Sequence, residues 1–515
     1  MALNRLLKRA IIFLVSLYCL VSFVFIVHNR NKPETVNQSV SKPIVSNSDI
    51  ENEVLTKYMP DLTSRTFLVL KSGVETAESR IPNHLNTTFK WYPNHQAFSD
   101  FDTHIADESV LDCLKYYPSF AYDSHDLQGY AIRKKSYEEQ WGIYDAYISV
   151  DGKPSSVFSD KYKHIPALAQ AWKTNSDMDW YLFIDDTTIF LPSTLASVVD
   201  GKNADDILYL GRRTFKDKHI CADERGGIVL SNGAMKLLFG SGKDLIPSAM
   251  SDAAKIASFC TTGSQVIVEL LKRSLKSNFN SNSNSNFNSN SNSIPDITAN
   301  LEKFDFGAFQ GSHITNTKAH FNSWCHPLGS FHRAYFEEFR TIDRWYDNLV
   351  AKHDVNYKPT YYDFFVDFIM PHASQKVSDW QAFDRVVENE SSSLRSSYRA
   401  GEIQAATPES CSATCASNED CYQWSFSTTR GCNLVLNGVV PITANNKYKK
   451  FFYFEDTSAG FMMTKLGNRR ADMKCDKIDS QGLTNNMKNG WLLPSNNISS
   501  TEVEVNRFVM KNESD

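Results

Sequence analysis

The stretch that most constrains the fold is Tyr144–Asp186. It reads as an apolar run (YDAYISVDGK), a segment with helical spacing (DKYKHIPALAQAWKTN) and a second apolar run (WYLFIDD). Ile165, Leu168, Ala169 and Trp172 recur at the interval of one helix face. Strand, helix and strand with short connections predict a βαβ unit, and with it a parallel sheet covered on both faces. TFLVLKSG, Thr66–Gly73, predicts another buried strand entering a turn. DILYLGRR predicts a further strand, and GGIVLSNGAMKLLFG a short strand running into a helix. The expected fold class is α/β with a mostly parallel sheet.

With 515 residues the chain exceeds one ordinary core, so two or more domains are expected. A formal charge of -5 gives no electrostatic argument for nucleic acid, and none is expected as a partner. At the N-terminus Arg5, Lys8 and Arg9 precede an uncharged apolar run, Ala10–Val27, about long enough to span a bilayer. The expectation is a single-pass type II signal anchor at 10–27, with a cytoplasmic tail at 1–9 and the rest in the secretory lumen. The alternative is a cleaved signal peptide. Residues 28–62 are polar and without hydrophobic period, as in a stem.

A folded domain is expected over 63–400, interrupted at 277–293 by SNFNSNSNSNFNSNSNS, a low-complexity insertion with too little apolar surface to order itself. Nine of the ten cysteines follow the apolar run, an odd number, so at least one thiol is free or pairs between chains. Cys411, Cys415, Cys421 and Cys432 crowd one short stretch and predict a disulfide-stapled module over about 407–475, with Trp424 packed on a bridge. From 480 to 515 the chain is polar again. Sequons at Asn37, Asn86, Asn389, Asn497 and Asn512 accord with a lumenal location.

WYLFIDDTTIF delivers Asp185 and Asp186 to the carboxyl end of a strand, the edge where open parallel sheets bind ligands. Two adjacent carboxylates repel unless a cation offsets them, and a hard divalent ion with phosphate oxygens would do so. A solvated turn or helix cap accounts for the same residues without any ligand.

Four segments occur in order: LVLKSGVETAESRIPNHLNTTF, DKYKHIPALAQAWKTNSDMDWYLFIDDTTIF, GGIVLSNGAM and WCHPLGSFHR. Together they resemble the fringe-like, core 1 β-1,3-galactosyltransferase family, particularly its fungal branch, and the resemblance covers about Thr66 to His332. It implies a nucleotide-sugar-binding domain of the glycosyltransferase-A type and a C-terminal apple (PAN-like) module, in a Golgi membrane protein. It further implies transfer of a hexose, galactose from a UDP-sugar donor in β-1,3 linkage, to a glycoprotein acceptor, with Mn²⁺ or Mg²⁺. Carried over residue by residue, the metal ligands fall on Asp185, Asp186 and His332, and the nucleotide-sugar contacts on Lys71, Gly73, Asp151 and Lys161.

Two departures from the family pattern are visible. The acid-x-acid motif followed by Thr lacks one carboxylate: depending on alignment, Thr187 or Ile184 stands in its place. The position of the family's general base falls on Ser264 in CTTGSQVIVELL, and a serine cannot deprotonate an acceptor hydroxyl without a base of its own. Asp252 and Glu269 are near in sequence. A second expectation is therefore a catalytically degenerate relative that binds glycans or proteins. A third, a secreted adhesion protein, requires the N-terminal segment to be cleaved. His313, His320, His326 and His332 are spaced unlike any zinc motif, Cys325 suits a structural disulfide, and Gly226–Gly227 reads as a tight turn or a close approach to a ligand.

Overall fold

A computed structural model describes residues 60–138, 149–150, 153–154, 158–216, 219–282, 296–302, 308–309, 314, 317, 319–321, 324–334, 336–372, 377–378, 407–427, 431–439, 458–472 and 475. The centre is a seven-stranded sheet of β1 (Thr66–Lys71), β2 (His95–Ser99), β3 (Thr103–Ile105), β4 (Glu108–Asp112), β5 (Trp180–Asp185), β6 (Tyr209–Leu210) and β7 (Ile228–Ser231). Their spatial order is β3-β4-β2-β1-β5-β7-β6. β4, β2, β1 and β5 run parallel, whereas β7 opposes both β5 and β6, and β3 opposes β4. The protein is α/β with a mixed, mostly parallel sheet.

β1 and β5 pair from Thr66↔Trp180 to Lys71↔Asp185. Because side chains alternate across a strand, each apolar run feeds two cores at once. Phe67, Val69, Tyr181 and Phe183 enter one core, and Leu68, Leu70, Leu182 and Ile184 the other. Burying each such side chain contributes about 1.5–3 kcal/mol. α1 (Ala77–Leu85) covers the Leu68 face through Ile81. On the Phe67 face lie α2 (His164–Thr174), α3 (Asn232–Phe239), α4 (Ile246–Ala257) and α5 (Gly263–Asn282). α6 (Phe336–Lys352) joins α1 with Phe339, Ile342 and Trp345.

Residues 144–148 and 151–152 of the expected strand before α2 lie outside the described residues. Ser149–Val150 pairs with Lys153–Pro154, and the parallel partner of β5 is β1. The membrane-anchor expectation is also corrected: among the described residues no helix is long and apolar enough to cross a membrane. The longest, α5, has 20 residues but carries Glu269, Lys272, Arg273 and Lys276. Residues 10–27, on which that expectation rested, lie outside the described residues, as do 1–9, 28–59, 283–295 and 480–515. α5 itself runs through Asn282, into the Asn/Ser-rich insertion.

The cysteine-rich segment forms a helix, Pro408–Ser417, against an antiparallel sheet of Cys421–Ser427, Gly431–Leu436, Ser458–Phe461 and Val377–Ser378. Disulfides Cys411–Cys432 and Cys415–Cys421 staple it, with Trp424 packed among these cysteines. It docks on the α/β layers by three links. Ala319–His320 pairs with Gly438–Val439, Phe321 meets Tyr422 edge-on at 4.4 Å, and Cys325 is bonded to Cys475. Cys113, Cys221 and Cys260 are buried thiols that take part in none of these disulfides.

Candidate functional site

The strand order reverses between β1 and β5: the chain leaves β1 for β2 on one side, and β5 leads to β7 and β6 on the other. Open α/β sheets bind ligands in the crevice outside the carboxyl ends of the strands at such a switch point. The residues that end β1 and β5 there are Lys71 and Asp185, which are register partners.

Asp185 and Asp186 do different work because successive residues point to opposite faces. Asp186 turns to the α1 face and is buried. Its Oδ2 accepts from Ser72 Oγ at 2.7 Å and Thr76 Oγ1 at 2.9 Å, and its Oδ1 from Arg80 Nη1 at 2.9 Å. His84 Nε2 donates to the Asp186 carbonyl at 2.9 Å, which leaves Nδ1 to accept from Thr88 at 3.0 Å. Burial lowers the His84 pKa to about 4, so the ring is neutral. Thr76, Arg80 and His84 recur every four residues and so lie on one stripe of α1. Asp186 is the peg on which that helix hangs.

Asp185 turns to the α2 face, towards buried Lys71. Lys71 Nζ lies 2.5 Å from Asp160 Oδ2 and 3.2 Å from Asp185 Oδ1. Burial opposes the Lys71 charge, but Asp160, Asp185 and Glu224 together hold its pKa well above the usual lysine value. Burial, followed by repulsion from Asp160, Asp186 and Glu224, pushes the Asp185 carboxyl up to about 6 against the attraction of Lys71. Lys163 Nζ sits 3.3 Å from Asp100 and donates to the Ser72 carbonyl at 2.9 Å, bracing the turn after β1.

Glu224 comes from a single 3-10 turn, Glu224–Gly226, before β7. Its Oε1 accepts from the Ser264 N–H at 2.7 Å, and its Oε2 lies 3.3 Å from His164 Nε2. Burial would raise its pKa, yet His164, Lys71 and the Ser264 N–H hold it well below the carboxylate range. A carboxylate at the first turn of α5 also suits the helix dipole. Gly227, at φ +91°, lets the chain leave this turn for β7.

His332 follows Ser330–Phe331, a strand paired with Ile189–Phe190. Its Nδ1 lies 3.0 Å from Thr188 Oγ1, which donates to the Arg225 carbonyl at 3.3 Å. With that hydroxyl proton committed, Nδ1 is the donor and Nε2 keeps its lone pair. Burial, then Arg225 and Arg333, lowers the His332 pKa to about 3.

The structure therefore brings Lys71, Gly73 and Asp185 to one edge, with His332 beside the Thr187–Thr188 turn. It separates Asp186 from Asp185, and both Asp186 oxygens are already engaged. The set Asp185, Asp186 and His332 does not fit a divalent ion. Among the described residues no three His, Cys, Asp or Glu side chains group as metal ligands. Lys161 is directed elsewhere, to Asp126 at 2.9 Å and the Cys260 carbonyl at 2.8 Å. Asp151 and His313 lie outside the described residues.

Ser264 is buried, with its Oγ beside Thr262 and Cys221 and its N–H bonded to the Glu224 carboxylate. Glu269 pairs with His219 and Lys272, and Asp252 is half-buried beside Lys255. Sequence reasoning missed Asp100, Asp160, Lys163 and Glu224. Asp160 and Lys163 bracket the predicted nucleotide residue Lys161 and could have been read with it, whereas Glu224 lies in a polar turn with no periodicity. The chain matches no model of a known protein family and no curated protein.

Proposed function

We propose that the protein is a hexosyltransferase that binds a nucleotide sugar at the carboxyl edge of β1 and β5. The observation that carries this reading is the Lys71–Asp185 pair at the topological switch point, flanked by Asp160 and Glu224. Lys71, buried and ion-paired to Asp160 and Asp185, fixes the carboxylates of this edge in place. Asp185, a quarter exposed, is the carboxylate on that edge open to an incoming hydroxyl. UDP-galactose as donor, a β-1,3 linkage, a glycoprotein acceptor, the glycosyltransferase-A identity of the domain, the apple identity of the module and a Golgi lumenal location all rest on the family resemblance. Three disulfides accord with an oxidising compartment. No step is assigned to a metal, because the implied ligand set does not fit one.

A second reading, a non-catalytic relative that binds glycans or proteins, is favoured by a separate observation: the family's base position is a buried, hydrogen-bonded serine. Incubation of the protein with UDP-galactose and a GalNAc-bearing peptide separates the two. Formation of a disaccharide lost in Asp185→Asn supports the transferase. No transfer to any acceptor, with UDP still bound, supports the binding relative.

A further inference from the structure

Of the sequons, Asn86-Thr87-Thr88 is the one that falls within the described residues, at the C-terminal end of α1. Asn86 is exposed, and among the described residues its side chain makes no hydrogen bond or ion pair. Asparagine is common after a helix because it tolerates a left-handed backbone, but its φ here is -103°, which any residue adopts. Neither packing nor backbone geometry calls for an amide at this position.

Thr88 is placed oppositely. It is fully buried, and its Oγ1 donates to His84 Nδ1 at 3.0 Å, on the stripe of α1 that grips Asp186. Thr87 is buried too, and its Oγ1 donates to the Asn83 carbonyl. The hydroxyl that makes Asn86 a sequon is thus closed off in the folded protein, while the amide itself stays in solvent. The three disulfides accord with passage through the compartment where N-linked glycans are added.

We propose that Asn86 carries an N-linked glycan, added before α1 packs against Asp186; this rests on the lumenal location in the reading above. In that step Asn86 Nδ2 loses one proton and bonds to the anomeric carbon of a lipid-diphosphate-linked oligosaccharide. The bond from that carbon to the phosphate oxygen breaks, and the lipid diphosphate leaves with the electron pair. A transferase that must engage the Thr88 hydroxyl meets it only before the chain has folded. The finished glycan projects from the end of α1 into solvent and requires no shift of the core.

The test uses full-length protein made in a eukaryotic cell, treated with peptide N-glycosidase in heavy-oxygen water and digested with trypsin. A glycosylated asparagine becomes a labelled aspartate, read in the peptide Ile81–Lys90. The expected result is label at Asn86 in the wild type and in Thr88→Ser, with one glycan lost from the intact mass of Asn86→Gln. Protein from cells whose lipid-linked oligosaccharide synthesis is blocked is then offered to a purified oligosaccharyltransferase and its lipid donor, either folded or reduced and alkylated. Only the unfolded form should gain the glycan at Asn86. No label at Asn86 while Asn37, Asn389, Asn497 or Asn512 is labelled overturns the proposal and leaves the lumenal location standing. No label at any sequon overturns both. Equal modification of the folded chain overturns the order of addition.

Discussion

Ser72, Thr76 and Arg80 each lose a partner when the Asp186 carboxylate is removed; Arg80 lies on α1 and Thr76 at its N-cap. Asp186→Ala should therefore cost about 2–4 kcal/mol in urea unfolding, discounted for the partly exposed Arg80. Asp185→Asn should stay within about 1 kcal/mol of the wild type, because Lys71 keeps Asp160 and one buried repulsion is relieved. Equal costs for the two substitutions would contradict the division of labour. Their separation was legible in principle, since neighbours on a strand face opposite ways. What hid it was the partner stripe on α1, about a hundred residues earlier, whose approach only the parallel β1–β5 pairing creates. pH offers a second check at this scale. His84 and His332 titrate in the fold at about 4 and about 3, below the unfolded value of about 6.5. A base with a lowered folded pKa contributes stability that is present above the unfolded pKa and lost as pH falls. These two should make the unfolding temperature drop between about pH 6.5 and about pH 3. The double variant His84→Gln/His332→Gln should show a shallower drop.

Among the elements, α5 has the tightest entry. A Cβ on Gly263 would lie 1.9 Å from the His164 Nδ1, inside the ring that faces Glu224. Gly263→Ala must push His164 off Phe183, on which it stacks at 4.5 Å, or displace the first turn of α5. A loss of about 1–3 kcal/mol is expected by thermal unfolding, with nucleotide affinity falling as Glu224 shifts. An alanine variant of unchanged stability would refute this packing. β1, β5, β6 and β7 could be read from sequence because their apolar runs are buried on both faces. β2 could not: HQAFS mixes polar and apolar residues, and its place beside β1 depends on long-range pairing. Ser149–Val150 pairs locally with Lys153–Pro154, a contact that apolar periodicity alone does not foretell.

For the whole molecule, the cysteine-rich module and the α/β layers share core residues, a strand pair and the Cys325–Cys475 bond. Cys325→Ser/Cys475→Ser should lower stability by about 2–4 kcal/mol while the module's own two bridges remain. An unchanged unfolding temperature would mean that the strand and aromatic contacts suffice. At this scale the sequence was read well for fold class and for the stapled module, because apolar periodicity and cysteine spacing are local signals. The charged edge was read in part: Lys71 and Asp185 end their strands, but Asp160, Glu224 and the bracing Lys163 converge only through tertiary folding. The most direct measurement is calorimetric titration of UDP into the full-length protein, Asp185→Asn and Lys71→Met, each with and without Mn²⁺. The account predicts saturable UDP binding by the wild type without added metal, lost in Lys71→Met and weakened in Asp185→Asn. No UDP binding under either condition, or binding indifferent to both substitutions, would contradict it.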